Sequence, residues 1–140
     1  MPREKSCGAI VFKKNKKPEF LLLHYEAGHW GFPKGNQEKG EAEEETVQRE
    51  VKEETGLSKV KLEKFKEKLT YFYRLKGKTV FKEVVFYLAE CLQPKKSVKA
   101  SWEHTGFKWL PFEKALAQIT FENEKKVLRK AYSFLEGRGS

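Results

Sequence analysis

Three glutamates near residue 50 are the side chains in this sequence best suited to chemistry. Glu50, Glu53 and Glu54 lie three and four positions apart. At about 100° per residue in an α-helix, they project from one arc of the helix, with Arg49 at its edge. Like charges at this spacing destabilise a bare helix, whereas a divalent cation among them reverses the sign of the interaction. Carboxylate oxygens that converge from one face suit a hard ion such as Mg²⁺, which commonly shares its ligands with substrate phosphates.

These glutamates belong to a short acidic segment in a basic protein. Eight of the 20 acidic residues fall between Glu38 and Glu54, where three basic residues accompany them and the local charge is −5. Because the chain has a net charge of +9, the rest of the sequence carries +14. A solvated, Glu-rich helix face is the simpler interpretation, but this helix offers few apolar residues for packing. A basic surrounding surface attracts polyanions, which favours a metal site for a phosphorylated substrate.

The acidic segment predicts a helix over about 42–55. No Gly or Pro interrupts these residues, Gly40 precedes them, and Gly56 follows at a position where a left-handed cap is favoured. Gly35 and Gly40 lie in the loop before the helix, where backbone groups can approach an ion or a phosphate closely.

The spacing of these residues resembles the signature of the Nudix hydrolases. Nine defined positions within 23 residues match that signature: Gly35, Glu41, Arg49, Glu50, Val51, Glu53, Glu54, Gly56 and Leu57. In that family the matching glutamates bind a divalent metal. The resemblance therefore implies that Glu50, Glu53 and Glu54 are metal ligands, with the Gly35 carbonyl as a further ligand.

Other signature positions carry supporting roles by the same resemblance. Arg49 would orient the glutamates through hydrogen bonds, and Glu41 would brace the loop against the helix. Gly40 and Gly56, which flank the helix, would have structural roles. The resemblance does not decide which glutamate activates water.

Most of the chain also resembles the asymmetrical diadenosine tetraphosphate hydrolases. The similar stretches are 7–12, 20–23, 29–35, 82–90 and 102–110. By this resemblance Lys34 and Lys82 would hold phosphates, with His29 nearby. Glu103 would supply a further metal ligand or a base from outside the helix.

Aromatic residues would bind the adenine base by the same resemblance. Tyr71 or Tyr73, together with Phe121, would stack on the ring, and Phe121 replaces the Tyr that the family resemblance leads one to expect. From the residues alone, Tyr71 and Phe121 are equally well interpreted as core aromatics. A surface lysine is the less favoured alternative for Lys82.

The rest of the chain predicts an α/β fold. Strands are predicted at 6–13, 20–25, 60–72, 80–92 and 105–110, and further helices at 111–119 and 122–135. The Nudix resemblance implies an α/β/α sandwich around a mixed β-sheet. We expect a single domain over 1–136 and a frayed tail at 137–140.

Composition indicates the cellular compartment expected for the protein. Cys7 and Cys91 have no metal spacing and are predicted to be buried thiols in a reducing compartment. No apolar run approaches the length of a membrane span, so we expect a cytoplasmic protein. The absence of Asp and the abundance of Lys and Glu weakly favour a thermophilic source.

The resemblance implies an enzyme that depends on Mg²⁺, with Mn²⁺ as a possible substitute. Its expected reaction is cleavage of a dinucleoside polyphosphate, typically diadenosine tetraphosphate to ATP and AMP. Two alternatives remain open: a pyrophosphohydrolase acting on nucleoside triphosphates or the 5′ end of RNA, and a Nudix-fold module that binds a nucleotide without turnover. We expect a monomer or weak dimer with no DNA partner.

Overall fold

The computed structural model describes residues 1–99 and 104–138. Seven strands and three helices follow one another within these ranges, together with a 3₁₀ turn at Lys95–Ser97. In chain order they are β1 (Arg3–Lys13), β2 (Glu19–Tyr25), β3 (Trp30–Gly31), β4 (Lys34–Asn36), α1 (Glu43–Thr55), β5 (Val60–Leu75), β6 (Lys78–Cys91), β7 (His104–Pro111), α2 (Phe112–Gln118) and α3 (Glu122–Arg138).

The strands form one mixed sheet. Its main path runs β3-β2-β1-β6-β5, while β4 pairs with β1 and β7 pairs with β2. The central pair β1–β6 is parallel, and the other pairs are antiparallel. One edge of β1 is divided between two partners, because its residues 6–8 pair with β4 and its residues 12–13 pair with β2. The short strand β4 is therefore held directly against the centre of the sheet.

Alternating side chains of the central strands bury two separate cores, as the period of two in a strand requires. The face that α1 covers holds Cys7, Ala9 and Val11 of β1, packed with Val47 and Val51 of the helix. On the other face, residues of α2 and α3 complete a second core, whose members include Ile10, Phe12, Phe86, Leu88, Ala115, Val127 and Leu128. Helices thus cover both faces of a mixed sheet, and the predicted α/β/α sandwich is confirmed.

The predicted elements are present, with some boundaries extended. The helix predicted over 42–55 is α1, and Gly56 ends it in a left-handed conformation with φ of 78°. The strand predicted over 60–72 continues to residue 75, and α3 continues to residue 138 rather than ending at 135. The single domain over 1–136 and the tail over 137–140 stay predictions; residues 139 and 140 lie outside the described ranges.

The segment between the strand predicted at 20–25 and the helix predicted over about 42–55 contains two short strands that sequence patterns did not indicate. The backbone of β3 pairs with β2 and that of β4 with β1, although Gly31 and Gly35 lie in the two short strands and Pro33 lies between them. Gly8 permits this approach, because a Cβ there would lie 2.6 Å from Cβ of Lys34.

Both cysteines are buried free thiols, as predicted, and burial raises the pKa of Cys7 to about 11. Among the described residues, no helix has both the length and the apolar character needed to cross a bilayer.

Candidate active site

The site forms where β4 faces α1. Pairing of Gly35 with Cys7 fixes β4 on the sheet, and burial of Val47 and Val51 fixes α1 over the neighbouring face. Glu50, on the side of α1 that faces β4, places its carboxylate against the backbone of Gly35. A Cβ at residue 35 would overlap that carboxylate and displace it, so glycine at this position permits the contact.

Glu54 makes the second direct contact between α1 and β4. The amide of Lys34 donates a hydrogen bond to Oε1 of Glu54 at 3.1 Å. On its other side, Nε2 of His104 in β7 lies 3.9 Å from the same oxygen. Glu54 therefore has donors or potential donors from two strands around it.

The three glutamates differ in exposure. Glu50 and Glu54 are only 9% and 6% exposed to solvent, whereas the side chain of Glu53 is 57% exposed. Burial raises the pKa of Glu50, and the charge of Glu53 adds to that effect, while Arg49 and a hydrogen bond with Glu54 oppose it. Two buried carboxylates in contact with each other need a positive partner or a proton.

Arg49 supplies positive charge at the edge of this group. Its Nη1 donates to Oε1 of Glu50 at 2.7 Å and to Oε2 of Glu53 at 3.3 Å. Its Nε and Nη2 donate to the two carboxylate oxygens of Glu41 at 2.7 and 3.0 Å, and Nη2 also reaches the carbonyl of Asn36 at 2.9 Å. One guanidinium thus ties α1 to the loop before it and to β4.

Glu41 is the anchor for this arginine. Hydrogen bonds from Arg49, the amide of Glu38 and the hydroxyl of Thr46 lower the pKa of Glu41 to about 2. The carboxylate therefore stays ionised throughout the physiological range and holds the loop against the first turns of α1.

The donor set fits a divalent cation in chemical type, because it consists of carboxylate oxygens beside a backbone strand. As the side chains stand, no three His, Cys, Asp or Glu groups within 1–99 and 104–138 converge so that they could hold an ion. Nη1 of Arg49 donates to both Glu50 and Glu53, so it lies between these two carboxylates. An ion held by both carboxylates would have to replace Nη1 there, while Nε and Nη2 of Arg49 bond to Glu41 and Asn36.

A second group of predicted residues surrounds Lys82. This lysine is 9% exposed, so it is not a surface lysine. Its Nζ donates to Oδ1 of Asn36 at 3.1 Å and to Oε1 of Glu4 at 3.4 Å. The hydroxyl of Tyr73 donates to the same Glu4 oxygen, and this bond raises the pKa of Tyr73 to about 12. Asn36 connects the group to Arg49 through its carbonyl oxygen.

A pocket of about 330 Å³ holds the third group. It is lined by Lys34, Leu69, Tyr71, Phe121, Asn123 and Glu124. Phe121 is 45% exposed, so it is not a core aromatic. The ring of His29 lies 5.2 Å from that of Phe121, and burial lowers the pKa of His29.

The structure therefore brings the predicted residues into three neighbouring groups. Lys34 joins two of them, because its amide contacts Glu54 and its side chain lines the pocket. Tyr71 lies opposite Lys82 in the β5–β6 pairing, which joins the pocket to the Lys82 group. Glu103 lies outside the described residues.

Residues that sequence reasoning did not select also belong to the site: Glu4, Asn36, His104 and Glu124. No sequence pattern distinguishes Glu4 and Asn36, because only strand pairing brings them to Lys82. Glu124 did carry a signal, because it falls on the same side of α3 as Val127, Leu128 and Ala131, where a charged residue is unexpected.

Comparisons with known proteins agree with this geometry. The sequence profile of the NUDIX domain matches residues 2–131. Asymmetrical bis(5′-nucleosyl)-tetraphosphatase of Rattus norvegicus is 36% identical, over 94% of this chain and 95% of that protein. An RNA pyrophosphohydrolase of Nitratiruptor sp. is 27% identical, over 96% and 94% of the two chains.

Among solved structures, an Ap4A hydrolase of C. elegans in a binary complex superimposes with a TM-score of 0.83 and 35% identity, covering 96% of this chain and 98% of that one. A NUDIX-domain match over most of the sequence, together with this structural agreement, places the chain in the Nudix family, as a Nudix hydrolase close to the asymmetrical diadenosine tetraphosphate hydrolases.

Proposed function

We propose that the protein is a Mg²⁺-dependent pyrophosphohydrolase that cleaves dinucleoside polyphosphates, typically diadenosine tetraphosphate to ATP and AMP, by attack of water on phosphorus. The observation that carries the proposal is the contact of the Glu50 carboxylate with the backbone of Gly35, beside the buried carboxylate of Glu54. Similarity to the rat asymmetrical tetraphosphatase supports the choice of substrate.

Glu50, Glu53 and Glu54, with the carbonyl of Gly35, would hold the cation, and Mn²⁺ is a possible substitute because the donors are oxygens. When bound, such a cation neutralises phosphate oxygens and orients the attacking water. Arg49 keeps the glutamates in position from the side of Glu41. Because little covalent chemistry is required of the protein, charge and positioning supply most of the rate.

The remaining residues bind the substrate. Lys34, whose amide bonds to Glu54, and Lys82, whose Nζ bonds to Asn36, would hold the phosphate chain, with His29 close to the Lys34 side. We assign adenine stacking to Tyr71 and Phe121, which line one pocket, and not to Tyr73, whose hydroxyl bonds to Glu4. Glu103 stays a predicted additional ligand or base.

A second candidate function is removal of pyrophosphate from nucleoside triphosphates or from the 5′ end of RNA. Similarity to the RNA pyrophosphohydrolase and the net charge of +9 favour it. A polyanionic strand has affinity for a basic protein irrespective of its sequence. A binding module without turnover is less favoured, because every signature carboxylate is present.

A substrate panel separates these functions. The protein is incubated with Mg²⁺ and diadenosine tetraphosphate, ATP or 5′-triphosphorylated RNA, and the products are resolved by chromatography. Equal amounts of ATP and AMP from the first substrate support the proposal. Pyrophosphate from ATP or RNA, at a higher kcat/KM, would replace it with the second candidate, and saturable binding without any product would favour the binding module.

A further inference from the structure

Glu124, in the first turn of α3, is a buried carboxylate that the proposed reaction leaves without a role. Glu124 is 4% exposed to solvent and lies beside the apolar residues Val127 and Leu128 of the same helix. Burial of an ionised carboxylate is costly unless the group is paired or hydrogen-bonded. A buried, ionised Glu124 therefore requires a cationic or hydrogen-bonding partner.

The described residues satisfy Glu124 only in part. Its Oε2 accepts one hydrogen bond, from Nζ of Lys34 at 3.3 Å. Its Oε1 has no hydrogen-bond partner among the described residues, and it lies so close to Gly31 that a Cβ there would be 2.6 Å away. An ionised carboxylate can accept about four hydrogen bonds, so most of the accepting capacity is unused.

The position of Glu124 in α3 accounts for its charge but not for its oxygens. A carboxylate in the first turn is stabilised by the positive end of the helix dipole. That interaction requires no donor at Oε1 or Oε2. Because Glu124 lines the adjacent pocket, a ligand that brings a hydrogen-bond donor into that pocket would meet its carboxylate.

The pocket defines which part of a nucleotide Glu124 meets. Tyr71 and Phe121 line it as the proposed base-stacking residues, and Lys34 lines it as the proposed phosphate-binding residue. In a nucleotide, the group between base and phosphate is the ribose. Glu124 lines the same pocket and contacts Lys34, which places a carboxylate acceptor at the expected position of the ribose hydroxyls.

We propose that Glu124 is a specificity-determining residue that accepts a hydrogen bond from a ribose hydroxyl of the bound nucleotide. This inference rests on the proposed function, because it needs a nucleoside between Tyr71 and Phe121. Nζ of Lys34 is bonded to Glu124 in this structure. A ribose hydroxyl that replaces Nζ at the carboxylate releases Lys34 to the phosphates. A phosphate chain without a nucleoside must instead remove Lys34 from a buried carboxylate that then lacks any donor.

Direct binding tests the inference without any need for turnover. Affinities for ATP and for 2′,3′-dideoxy-ATP are measured by calorimetry in EDTA, with the wild type, Glu124→Gln and Glu122→Gln. Glu122 is the matched control, because it lies in the same helical turn and its side chain is 74% exposed. A hydrogen bond to a charged group corresponds to roughly a tenfold change in affinity. Wild type and Glu122→Gln should therefore prefer ATP by roughly tenfold, and Glu124→Gln should show little preference.

Inorganic tripolyphosphate provides a second readout that a merely structural role would not produce. Because Glu124→Gln removes the charge that holds Lys34, the variant should bind tripolyphosphate several-fold more tightly than Glu122→Gln does, while it binds ATP less tightly. Opposite changes for the two ligands cannot arise from general loss of structure. Thermal unfolding of each variant verifies folding, and the comparison of ATP with dideoxy-ATP in the wild type needs no variant.

Several results would overturn the inference. These are equal binding of ATP and dideoxy-ATP by the wild type, or the same preference for ATP in Glu124→Gln as in the wild type. Absence of saturable ATP binding would overturn it as well, since no nucleotide would then occupy the pocket. The product assay separately judges the proposed function: formation of ATP and AMP with no ribose preference would leave the hydrolase proposal standing and remove the role of Glu124.

Discussion

Nη1 of Arg49 donates to Oε1 of Glu50 at 2.7 Å and to Oε2 of Glu53 at 3.3 Å, so one guanidinium nitrogen bridges two glutamates of α1. The same guanidinium binds both oxygens of Glu41. Lysine keeps the charge but has no planar fork with which to bind these groups at once. Arg49 is therefore a positioning residue for the glutamates.

Arg49→Lys should lower kcat by roughly 10- to 100-fold, in the range seen when groups that orient metal ligands are lost. The free energy of unfolding should fall by no more than about 2 kcal/mol, because the side chain is partly exposed. The Mg²⁺ concentration for half-maximal rate should rise. Unchanged kcat and unchanged Mg²⁺ dependence in a folded variant would show that the glutamates do not need this arginine.

Glu53→Gln should lower kcat by roughly a hundredfold or more and leave folding almost unchanged. The carboxylate is a proposed metal ligand, while its side chain is 57% exposed and outside both cores. Steady-state kinetics and urea unfolding of the same preparation measure the two effects. Marked loss of stability would contradict its placement, and near-normal turnover would remove it from the site.

Gly35→Ala should lower activity without a comparable loss of stability. The added Cβ would overlap the Glu50 carboxylate and displace it, so turnover should fall by roughly a hundredfold. Gly106→Ala is the control, because Gly106 also lies in a strand and nothing within 4 Å meets its Cβ. Equal activity of the two variants would mean that the contact between Gly35 and Glu50 has no part in the reaction.

How much of this site could be predicted depends on where its residues lie in the chain. Glu50, Glu53 and Glu54 share one helix, so the 3.6-residue period alone placed them together, and strand-like runs mixed with a few helical segments predicted a layered α/β fold. The role of β4 was not predictable from such patterns, because three residues containing a glycine have no period of their own. Glu4 and Asn36 reach Lys82 through strand pairing, which depends on the whole sheet, and sequence spacing carried no trace of it.

Lys82→Ala should raise KM by roughly 10- to 100-fold and change kcat less. A buried ammonium that makes a charge-assisted bond to phosphate contributes about 1.5–3 kcal/mol. Lys78→Ala is the control for charge, because Lys78 is an exposed lysine of the same strand. If both variants raise KM equally, the effect comes from net charge, and Lys82 does not contact the substrate.

Stability should depend on pH through Glu43, which lies outside the proposed metal ligands. Burial acts to raise its pKa, but hydrogen bonds from Lys5, Lys66 and Tyr87 outweigh it and lower the pKa to about 2. A carboxyl whose folded pKa lies below its unfolded value stabilises the fold above about pH 4.5, and this contribution is lost as the pH falls toward 2.

Glu43→Gln should therefore lose about 1–2 kcal/mol of unfolding free energy at pH 7, and the gap from the wild type should close as the pH falls toward 2. Urea unfolding at several pH values gives this gap, with Glu122→Gln as an exposed control. A gap that stays constant between pH 7 and pH 3 would contradict the ion pairs at Glu43.

The most direct test of the account is a crystal structure with Mg²⁺ and a non-hydrolysable diadenosine tetraphosphate analogue. We predict a cation at about 2.1 Å from oxygens of Glu50, Glu53 and Glu54 and from phosphate oxygens, with Nη1 of Arg49 withdrawn from between the glutamates. A bound analogue whose phosphates lie elsewhere, with Arg49 still bonded to Glu50 and no ion beside them, would contradict the account.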